Sequence, residues 1–405
     1  MAVNKLSIFI PHASDFLTNH QPHGDGLAAF GFISRLAERG HTLHVAAPEM
    51  DIKGALSANI ELHTIKTLAK STGLHRLEYM LKSRLLLNRL RRKGQIDVIH
   101  QLNPVNKGLS LAMIGSGLPV VLGVIVPGWP QDAEDSAPKQ SRLNRLVEAV
   151  KMGVKSGLMA LQQWQASALL VATPAARNFL YNAEQFEHKI VHLSFGVDTT
   201  RFYPNPESRT SNEPNILFLA NLWRRKGIFT LLEAFAQVAE RLPNCRLTIA
   251  GGGGEQEEVE RLVAASPYRD RIKLLGPVGR DKVPGLLRGC TLYCHPAYGE
   301  PFANSVLEAL ASGKPVVATN AGGIREMIPD GGGRKVPPRD AQALAEALIE
   351  VVSSPELQAE MGRCNRHRVE HFYAWNRIID RLEAVYTQVI AEQQEPQGEH
   401  SLPIY

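Results

Sequence analysis

Two glutamates stand eight residues apart in the segment YGEPFANSVLEALASGKPVVATNAGG, which runs from Tyr298 to Gly323. They are Glu300 and Glu308, and the residues between them predict a loop that turns into a helix. Paired carboxylates can act as general acid and base. They can equally hold a polar ligand by accepting hydrogen bonds from its hydroxyl groups. The segment therefore predicts a functional site whose chemistry depends on the groups around it.

Two further loops carry residues suited to an anionic ligand. Residues 220–227 read ANLWRRKG and contain three adjacent cations, Arg224, Arg225 and Lys226. Residues 24–26 read GDG, in which Gly24 and Gly26 let the backbone approach a ligand closely. Both loops also have a plainer interpretation, because loop cations are usually solvated and glycines are common in turns.

All three loops follow predicted strands that alternate with amphipathic helical segments. The predicted strands comprise residues 6–11, 42–48, 97–102, 119–126, 168–173, 189–195, 215–220, 246–251, 272–276, 291–296 and 315–319. Short apolar runs of this kind indicate parallel sheets covered on both faces. The predicted fold class is α/β, with two tandem Rossmann-like doubly wound domains facing a cleft. In such sheets, ligands bind at the carboxyl ends of the strands, which is where the three loops lie.

The sequence lacks the motifs that several other kinds of chemistry require. GGGG at 251–254 is not followed by Lys-Ser or Lys-Thr, which argues against a P-loop. Cys290, Cys294 and His295 are potential metal ligands, but their predicted strand is buried, which favours core packing. The chain contains neither Asp-x-Asp, the usual metal site for a nucleoside diphosphate, nor a Gly-x-Ser-x-Gly elbow. We therefore expect no metal and no cofactor.

Composition indicates an ordinary globular protein. The 405 residues are 44% hydrophobic and 21% charged, and the four cysteines are too few and scattered for a disulfide framework. The N-terminal residues pass directly into a strand, without the pattern of a signal peptide or membrane span. These features predict a cytoplasmic protein.

The net charge of +5 is concentrated in a basic helical segment, residues 75–94. Its last turns contain Arg84, Arg89, Arg91, Arg92 and Lys93. One interpretation is a solvated helix face, since cations are favourable at a helix C-terminus. The other is peripheral contact with an anionic membrane surface or acceptor. No nucleic-acid-binding motif accompanies the charge, so a nucleic acid partner is not expected.

The second half of the chain resembles a known enzyme family. The segments that carry the resemblance are VHLSFGVDTTRFYPN, RRKGIFTLLEAF, RLTIAGGGGE, HPAYGEPFANSVLEALASGKPVVATNAGGIREMI and FYAWNRIIDRLEAVY. They are similar to the retaining GT-B glycosyltransferases of family 4, also called glycosyl transferases group 1. The resemblance covers nearly all of residues 190–391 and is looser before them. The spacing E-x7-E, here Glu300 to Glu308, is the family's signature.

The resemblance implies an organisation in four segments. They are an acceptor-side domain 1–195, a nucleotide-sugar-binding domain 196–371, a helix 372–391 that crosses back to the first domain, and a flexible tail 392–405. The stretch 202–215 is rich in Pro, Asn and Ser, which predicts a linker between the domains.

The resemblance also implies roles for the site residues. Glu308 corresponds to the residue that holds the donor ribose, and Glu300 to one that holds sugar hydroxyls near the reacting carbon. Lys226 corresponds to a lysine that pairs with the diphosphate. A helix N-terminus stabilises the same leaving group, here through four backbone N–H groups. Those groups belong to Phe302, Ala303, Asn304 and Ser305.

This chain departs from the family pattern at two places. Relatives usually have Gly-Arg where it has Ala220-Asn221, so Asn221 occupies the donor loop and Arg224 or Arg225 is expected to replace the missing arginine. Many relatives also have a histidine after the fourth strand, where this chain has none. His100 and His23 are the remaining candidates for proton handling, although both also fit structural roles.

The remaining site assignments concern the base and the acceptor. We expect the nucleotide base to contact backbone near Pro277 and Val278. Gly26 is assigned to the donor, and His23 with Asp25 to the acceptor side.

The implied reaction is transfer of a hexose from a nucleoside-diphosphate sugar to an acceptor hydroxyl, with retention of configuration and without a metal. The acceptor would be a glycan, a lipid-linked sugar or a small molecule. Two alternatives stay open: a GT-B-like sugar-nucleotide epimerase or phosphorylase, and a related protein that binds without turnover.

Overall fold

The structure, a computed structural model, describes residues 5–394 apart from 22, 70–71, 103–107, 127–152, 154–155 and 206–212. The described residues form two α/β units. Unit 1 holds those up to Gly196 and those from Trp375 onward, and unit 2 holds Val197–Ala374. Each unit has its own parallel sheet, which confirms the predicted fold class.

Unit 1 is built on a seven-stranded sheet. The strands described in this unit are β1 (Ser7–Ile10), β2 (Phe16–Thr18), β3 (Thr42–Ala47), β4 (Glu49–Asp51), β5 (Ile60–Thr64), β6 (Val98–Gln101), β7 (Val120–Ile125), β8 (Ala168–Val171) and β9 (Ile190–His192). The main sheet has the order β5-β3-β1-β6-β7-β8-β9 and is parallel throughout. β2 and β4 form a separate parallel pair. The helices are α1 (Gly24–Glu38), α2 (Thr72–Lys93), α3 (156–165) and α11 (Trp375–Gln394).

Unit 2 repeats the pattern with six strands. They are β10 (Asn215–Leu219), β11 (Arg246–Ala250), β12 (Ile272–Leu274), β13 (Leu292–His295), β14 (Val316–Thr319) and β15 (Gly333–Val336), in the order β12-β11-β10-β13-β14-β15. All neighbours are again parallel. The helices are α4 (Ile228–Arg241), α5 (Gln256–Ala265), α6 (Val283–Gly289), α7 (Asn304–Ala311), α8 (Ile324–Met327), α9 (Ala341–Ser353) and α10 (Pro355–Phe372).

All eleven predicted strands are present in these sheets. The central ones, including β6, β7, β13 and β14, are buried along their whole length because helices cover both faces. Four strands were not predicted: β2, β4, β5 and β15. They are short or polar, and β5 and β15 lie at sheet edges, where no continuous apolar run is needed.

The last helix, α11, belongs to unit 1 and packs on α1, where Trp375 provides an aromatic contact. The Trp375 ring lies edge-on to Phe32, with the ring centroids 5.0 Å apart. It fits closely against Gly31 and Gly196, because a Cβ atom at either position would lie within 2.4 Å of the indole. Near the middle of α11, the buried Glu383 carboxylate accepts a hydrogen bond from the His41 ring at 3.0 Å.

The prediction of an interdomain linker at residues 202–215 is wrong, because both ends of this stretch lie inside unit 2. Phe202 is buried in a core cluster of unit 2, and Asn215 begins β10. The described residues of this stretch therefore belong to unit 2. Residues 206–212 lie outside the described part of the chain. The predicted tail lies outside it from residue 395. Across the described residues, no helix combines the length and the apolar character needed to cross a bilayer.

Candidate functional site

Two neighbouring strands of unit 2 bring Lys226 and Glu300 together. β10 and β13 are parallel partners, so the loops after them meet at the same edge of the sheet. Lys226 ends a 3-10 turn after β10, and its ammonium pairs directly with the Glu300 carboxylate in the loop after β13. Gly227 permits this approach: it adopts a left-handed conformation, and a Cβ atom there would lie 1.9 Å from the Pro296 carbonyl oxygen.

Glu300 is a buried carboxylate with a partner on each oxygen. Only 7% of the residue is exposed. Oε1 accepts from the Lys226 ammonium, and Oε2 lies 2.6 Å from Nε2 of the buried His295. Burial alone would raise the pKa of Glu300, but the Lys226 charge and the His295 ring outweigh it and lower that pKa to about 2. Glu300 is therefore ionised at neutral pH and holds no proton that it could donate.

A buried hydrogen-bond chain links Glu300 to the first turn of α7. The second ring nitrogen of His295, Nδ1, lies 3.1 Å from the Tyr293 hydroxyl. That hydroxyl donates to the Ser305 Oγ at 2.8 Å. Burial raises the pKa of Tyr293 well above its usual value, so the hydroxyl keeps its proton. The chain therefore couples the position of the Glu300 carboxylate to that of α7.

Glu308 lies in α7 and has a different partner. It is 4% exposed, and its Oε1 is 2.6 Å from Nη1 of Arg280. Burial raises the pKa of Glu308, and the Arg280 guanidinium opposes that rise. Arg201 donates to the Arg280 backbone carbonyl, which holds a second positive charge beside the pair.

The start of α7 offers backbone donors. Its N-cap residue Ala303 makes no side-chain capping hydrogen bond, so the first-turn N–H groups are not satisfied by a cap. Phe302, Asn304 and Ser305 are each partly exposed there. A backbone hydrogen bond stabilises the loop that precedes α7: the Gly323 N–H donates to the Glu300 carbonyl at 3.1 Å.

The other predicted donor residues lie on the same edge of unit 2. The guanidinium of Arg224 stacks on Phe229 at 4.6 Å and lies 3.7 Å from the Glu255 carboxylate. Arg225 is partly buried, and its carbonyl accepts from the Tyr298 N–H at 2.9 Å. Asn221 is exposed.

The residues predicted to contact the base follow β12. Pro277 is exposed, and a Cβ atom on Gly252 would lie 2.8 Å from its ring, so the loops after β11 and β12 touch. Val278 is partly buried and packs on a core cluster that includes Leu307 of α7.

The candidates of unit 1 have structural roles. His23 caps α1, with its Nδ1 accepting from the Gly26 N–H at 3.0 Å. Gly26 lies so close to the Phe16 carbonyl that a Cβ atom would be 2.2 Å from its oxygen. Asp25 is exposed in the first turn of α1, where its charge favours the helix N-terminus.

His100 is also enclosed in unit 1. Its Nε2 lies 2.7 Å from the Gly123 carbonyl and its Nδ1 lies 2.5 Å from the Tyr386 hydroxyl. Burial lowers the pKa of His100 to about 4, so the ring is neutral at pH 7. Both nitrogens are engaged, and this arrangement leaves neither available to handle a substrate proton. The nomination of His100 as a catalytic residue therefore has no support in this geometry.

Sequence reasoning missed three members of the site. It assigned His295 to the core, and it did not consider Tyr293 or Arg280. One signal was present: His295 lies in the predicted strand 291–296, only five residues before Glu300. The metal-ligand interpretation of this strand is not supported among the described residues, where Cys290 and Cys294 do not join His295 in a three-ligand group. Burial raises the pKa of both thiols, so they favour the protonated form.

The chain is similar to known glycosyltransferases. Residues 200–368 match the family model described as glycosyl transferases group 1. The chain is 32% identical over 307 residues to a phosphatidyl-myo-inositol mannosyltransferase of Mycolicibacterium smegmatis, covering 73% of this chain and 72% of that protein. It spans only 42–61% of the length of four other curated relatives.

Solved structures share the fold of the chain. A glycosyltransferase of Rickettsia africae superposes with a TM-score of 0.73 at 19% identity, covering 96% of this chain and 99% of that one. HepE of Anabaena, crystallised with UDP, superposes with a TM-score of 0.69 at 19% identity, covering 95% and 100%. At these identities the likeness concerns the fold alone.

Proposed function

The chain belongs to the glycosyl transferases of group 1, and from that premise we propose that it transfers a hexose from a nucleoside-diphosphate sugar to an acceptor hydroxyl. The observation that carries the proposal is the buried pairing of Glu300 with Lys226 and His295 at the start of α7. Such a pairing fixes an ionised carboxylate beside a cation and a helix N-terminus. A sugar diphosphate presents the matching groups, hydroxyls next to negative oxygens.

Each group has a distinct role in this proposal. Glu300 accepts hydrogen bonds from sugar hydroxyls, while Glu308, held by Arg280, accepts them from the ribose. Lys226 and the first-turn N–H groups of α7 stabilise the charge that develops on the diphosphate as the glycosidic bond breaks. Because these groups supply the positive potential, the transfer proceeds without a metal.

If the transfer retains configuration, as in the proposed family reaction, the state of Glu300 favours front-face displacement over a covalent glycosyl intermediate. Because its pKa is low, Glu300 is ionised at neutral pH and does not act as a general acid. Both of its oxygens already accept hydrogen bonds, so neither is directed at a reacting carbon as a nucleophile. A carboxylate in this state orients and stabilises the sugar, and the leaving phosphate assists the incoming hydroxyl.

Arg225 is the better substitute for the arginine missing at Asn221. Arg224 is already stacked on Phe229 and lies beside Glu255, whereas Arg225 is adjacent to Lys226 and is less exposed. Arg225→Ala is expected to weaken donor binding, measured by calorimetry with the nucleoside diphosphate, and Arg224→Ala to leave it nearly unchanged. Full donor affinity in both variants would contradict the substitution.

The acceptor is proposed to be lipid-linked, which places the chain at a membrane surface on the cytoplasmic side. The Mycolicibacterium relative is named for a phosphatidyl-myo-inositol acceptor. On α2, an exposed row of leucines precedes the basic last turn of Arg91, Arg92 and Lys93. The row comprises Leu74, Leu77, Leu81 and Leu85. Apolar and basic groups in this order fit the surface of an anionic bilayer.

Vesicle sedimentation tests this contact. The protein is expected to sediment with vesicles of phosphatidylglycerol and phosphatidylcholine, and much less with phosphatidylcholine alone. Leu81→Glu combined with Leu85→Glu is expected to abolish sedimentation. Leu161→Glu, which changes an exposed leucine of α3, serves as the matched control. Equal sedimentation of both variants would exclude α2 as the contact.

A nucleotide-sugar panel tests the transfer itself. UDP, GDP, ADP and TDP are first screened for thermal stabilisation, because a ligand that binds only the folded state raises its stability. Sugars of the stabilising nucleotide are then incubated with the protein, and free nucleotide is measured with and without EDTA. Release that EDTA leaves unchanged supports a metal-independent transferase. Tight binding without release favours the non-catalytic alternative, and a changed sugar without nucleotide release favours an epimerase.

A further inference from the structure

One face of the unit 1 sheet carries a cluster of metal-ligating side chains that the proposed transfer does not use. His44 lies on β3, and Glu61 and His63 lie on the edge strand β5. His44 is the register partner of Glu61 across the two parallel strands. Glu61 and His63 are two residues apart, so their side chains project from the same face as His44. The three residues therefore meet although His44 is distant from the other two in sequence.

Their separations fit the ligand shell of a small cation. Tetrahedral zinc with bonds of about 2.0–2.1 Å keeps its ligand atoms about 3.3 Å apart. Here the His44 Nδ1 lies 3.0 Å from the Glu61 Oε2, and the His63 Nε2 lies 3.7 Å from the Glu61 Oε1. All three ligand atoms lie within 4.8 Å of one another. Small side-chain rotations would place them around one ion.

His63 carries a second indication of a ligand. Its Nε2 atom is buried and has no hydrogen-bond partner among the described residues. A buried polar atom without a partner costs free energy, so it needs an explanation. Its ring also stacks with that of His44, with the centroids 6.0 Å apart. A nitrogen of each ring lies near the Glu61 carboxylate.

We propose that His44, Glu61 and His63 bind one Zn²⁺ ion that links the edge strand β5 to β3. Two imidazoles and one carboxylate are a donor set that zinc accepts, and water would complete the four-coordinate shell. Glu61 is half exposed, which gives the ion a path from solvent. The site would hold the edge of the sheet and is independent of the sugar transfer.

Charges around the cluster set the conditions for binding. Burial lowers the pKa of His63, and the nearby His44, Lys93 and Arg89 lower it further against the opposing effect of Glu61. Lys93 and Arg89 also repel a cation, and their removal is expected to tighten binding.

Zinc titration of the chelator-treated full chain tests the site. Calorimetry with ZnCl₂ is expected to give one ion per chain for the wild type. For His63→Gln, binding is expected to be at least about 10-fold weaker, because losing a ligand should cost no less than losing an outer-shell partner, which costs about 10–100-fold. His188→Gln, at an exposed histidine of unit 1, is the matched control and should bind like the wild type. Thermal unfolding with zinc should shift upward for the wild type and the control only.

Two outcomes would overturn the proposal. The first is no saturable binding by the wild-type chain, which would leave the cluster a hydrogen-bonded group alone. The second is a His63→Gln variant that binds zinc with wild-type affinity, which would place the ion elsewhere. Circular dichroism of each variant verifies folding, and Glu61→Gln provides a second test at a half-exposed position where misfolding is not expected.

Discussion

Two buried histidines occupy corresponding strands of the two units. His100 lies in β6, next to β1, and His295 lies in β13, next to β10. β1 and β10 are each the first strand of their sheet in sequence, so β6 and β13 are equivalent. Each histidine also has a tyrosine hydroxyl at Nδ1, from Tyr386 in one case and from Tyr293 in the other.

The histidines differ in the partner of Nε2. In unit 1 it is the Gly123 carbonyl, a neutral acceptor, and in unit 2 it is the Glu300 carboxylate, which also holds Lys226. With a neutral partner, His100 is a hydrogen-bonded residue of the core. With a charged partner, His295 positions the Glu300 carboxylate in the site. The second partner, rather than the histidine or its strand, therefore decides the role of each histidine.

The change Glu300→Gln tests this directly, because it converts the partner of His295 into a neutral amide. The expected result is a loss of kcat/KM of about 10²–10³-fold, the range seen when one preorganised polar contact to a transition state is removed. The measurement is initial rate with the nucleotide sugar identified by the panel. Glu257→Gln, at an exposed acid of α5, is the control. Activity within threefold of the wild type would remove Glu300 from the site.

The pH dependence of stability probes the other histidine. The pKa of His100 is about 4 in the folded chain and near 6.5 in the unfolded one. The unfolded chain therefore binds more protons between these values, and the contribution of His100 to stability is lost as pH falls from 6.5 to 4. The loss amounts to about 3 kcal/mol, from 2.5 pKa units at 1.36 kcal/mol each.

Urea unfolding of the wild type and His100→Leu measures this loss. The difference in unfolding free energy between the two proteins is expected to shrink between pH 7 and pH 4.5, because only the wild type loses the contribution. An unchanged difference over that window would mean that His100 is not held neutral in the core.

Replacing each histidine with leucine in a separate variant measures its role. His295→Leu removes a hydrogen bond to a charged group, worth about 1.5–3 kcal/mol, so kcat/KM should fall about 30-fold. His100→Leu should lower the unfolding temperature but leave kcat/KM of the folded protein within threefold. Steady-state kinetics and thermal unfolding on both variants give the result. If both variants lost only activity, or both lost only stability, the two histidines would not have different roles.

The local pattern of apolar residues was sufficient to predict most of the strands. Eleven strands were predicted because their apolar runs are needed wherever a parallel sheet is covered on both faces. The edge strands β5 and β15 were missed because their sequences, IELHT and GRKV, contain no such run. The linker was misplaced because Pro and Asn mark turns of any kind, and burial of Phe202 depends on the tertiary fold.

The site was predictable only where sequence spacing carries the geometry. Glu300 and Glu308 share one loop and helix, so their proximity follows from the chain itself. Lys226 was placed correctly at the carboxyl end of β10, but its pairing with Glu300 depends on the order of strands. The partners of His100 and His295 come from distant segments, and this is why sequence reasoning selected His100 and assigned His295 to the core.

Glu308 provides the last test, because it is a buried carboxylate of α7 with no histidine partner described. Its Oε1 contacts Arg280, and Glu308 is assigned to the ribose rather than to the reacting sugar. Glu308→Gln keeps the shape and loses the charge, so the donor KM should rise about tenfold, equal to 1.4 kcal/mol, while kcat changes little. Arg280→Gln, which removes the partner instead, should raise the donor KM by a similar factor. If Glu308→Gln lowered kcat strongly at an unchanged KM, Glu308 would act on the transition state, and dependence on a histidine would no longer separate the two carboxylates.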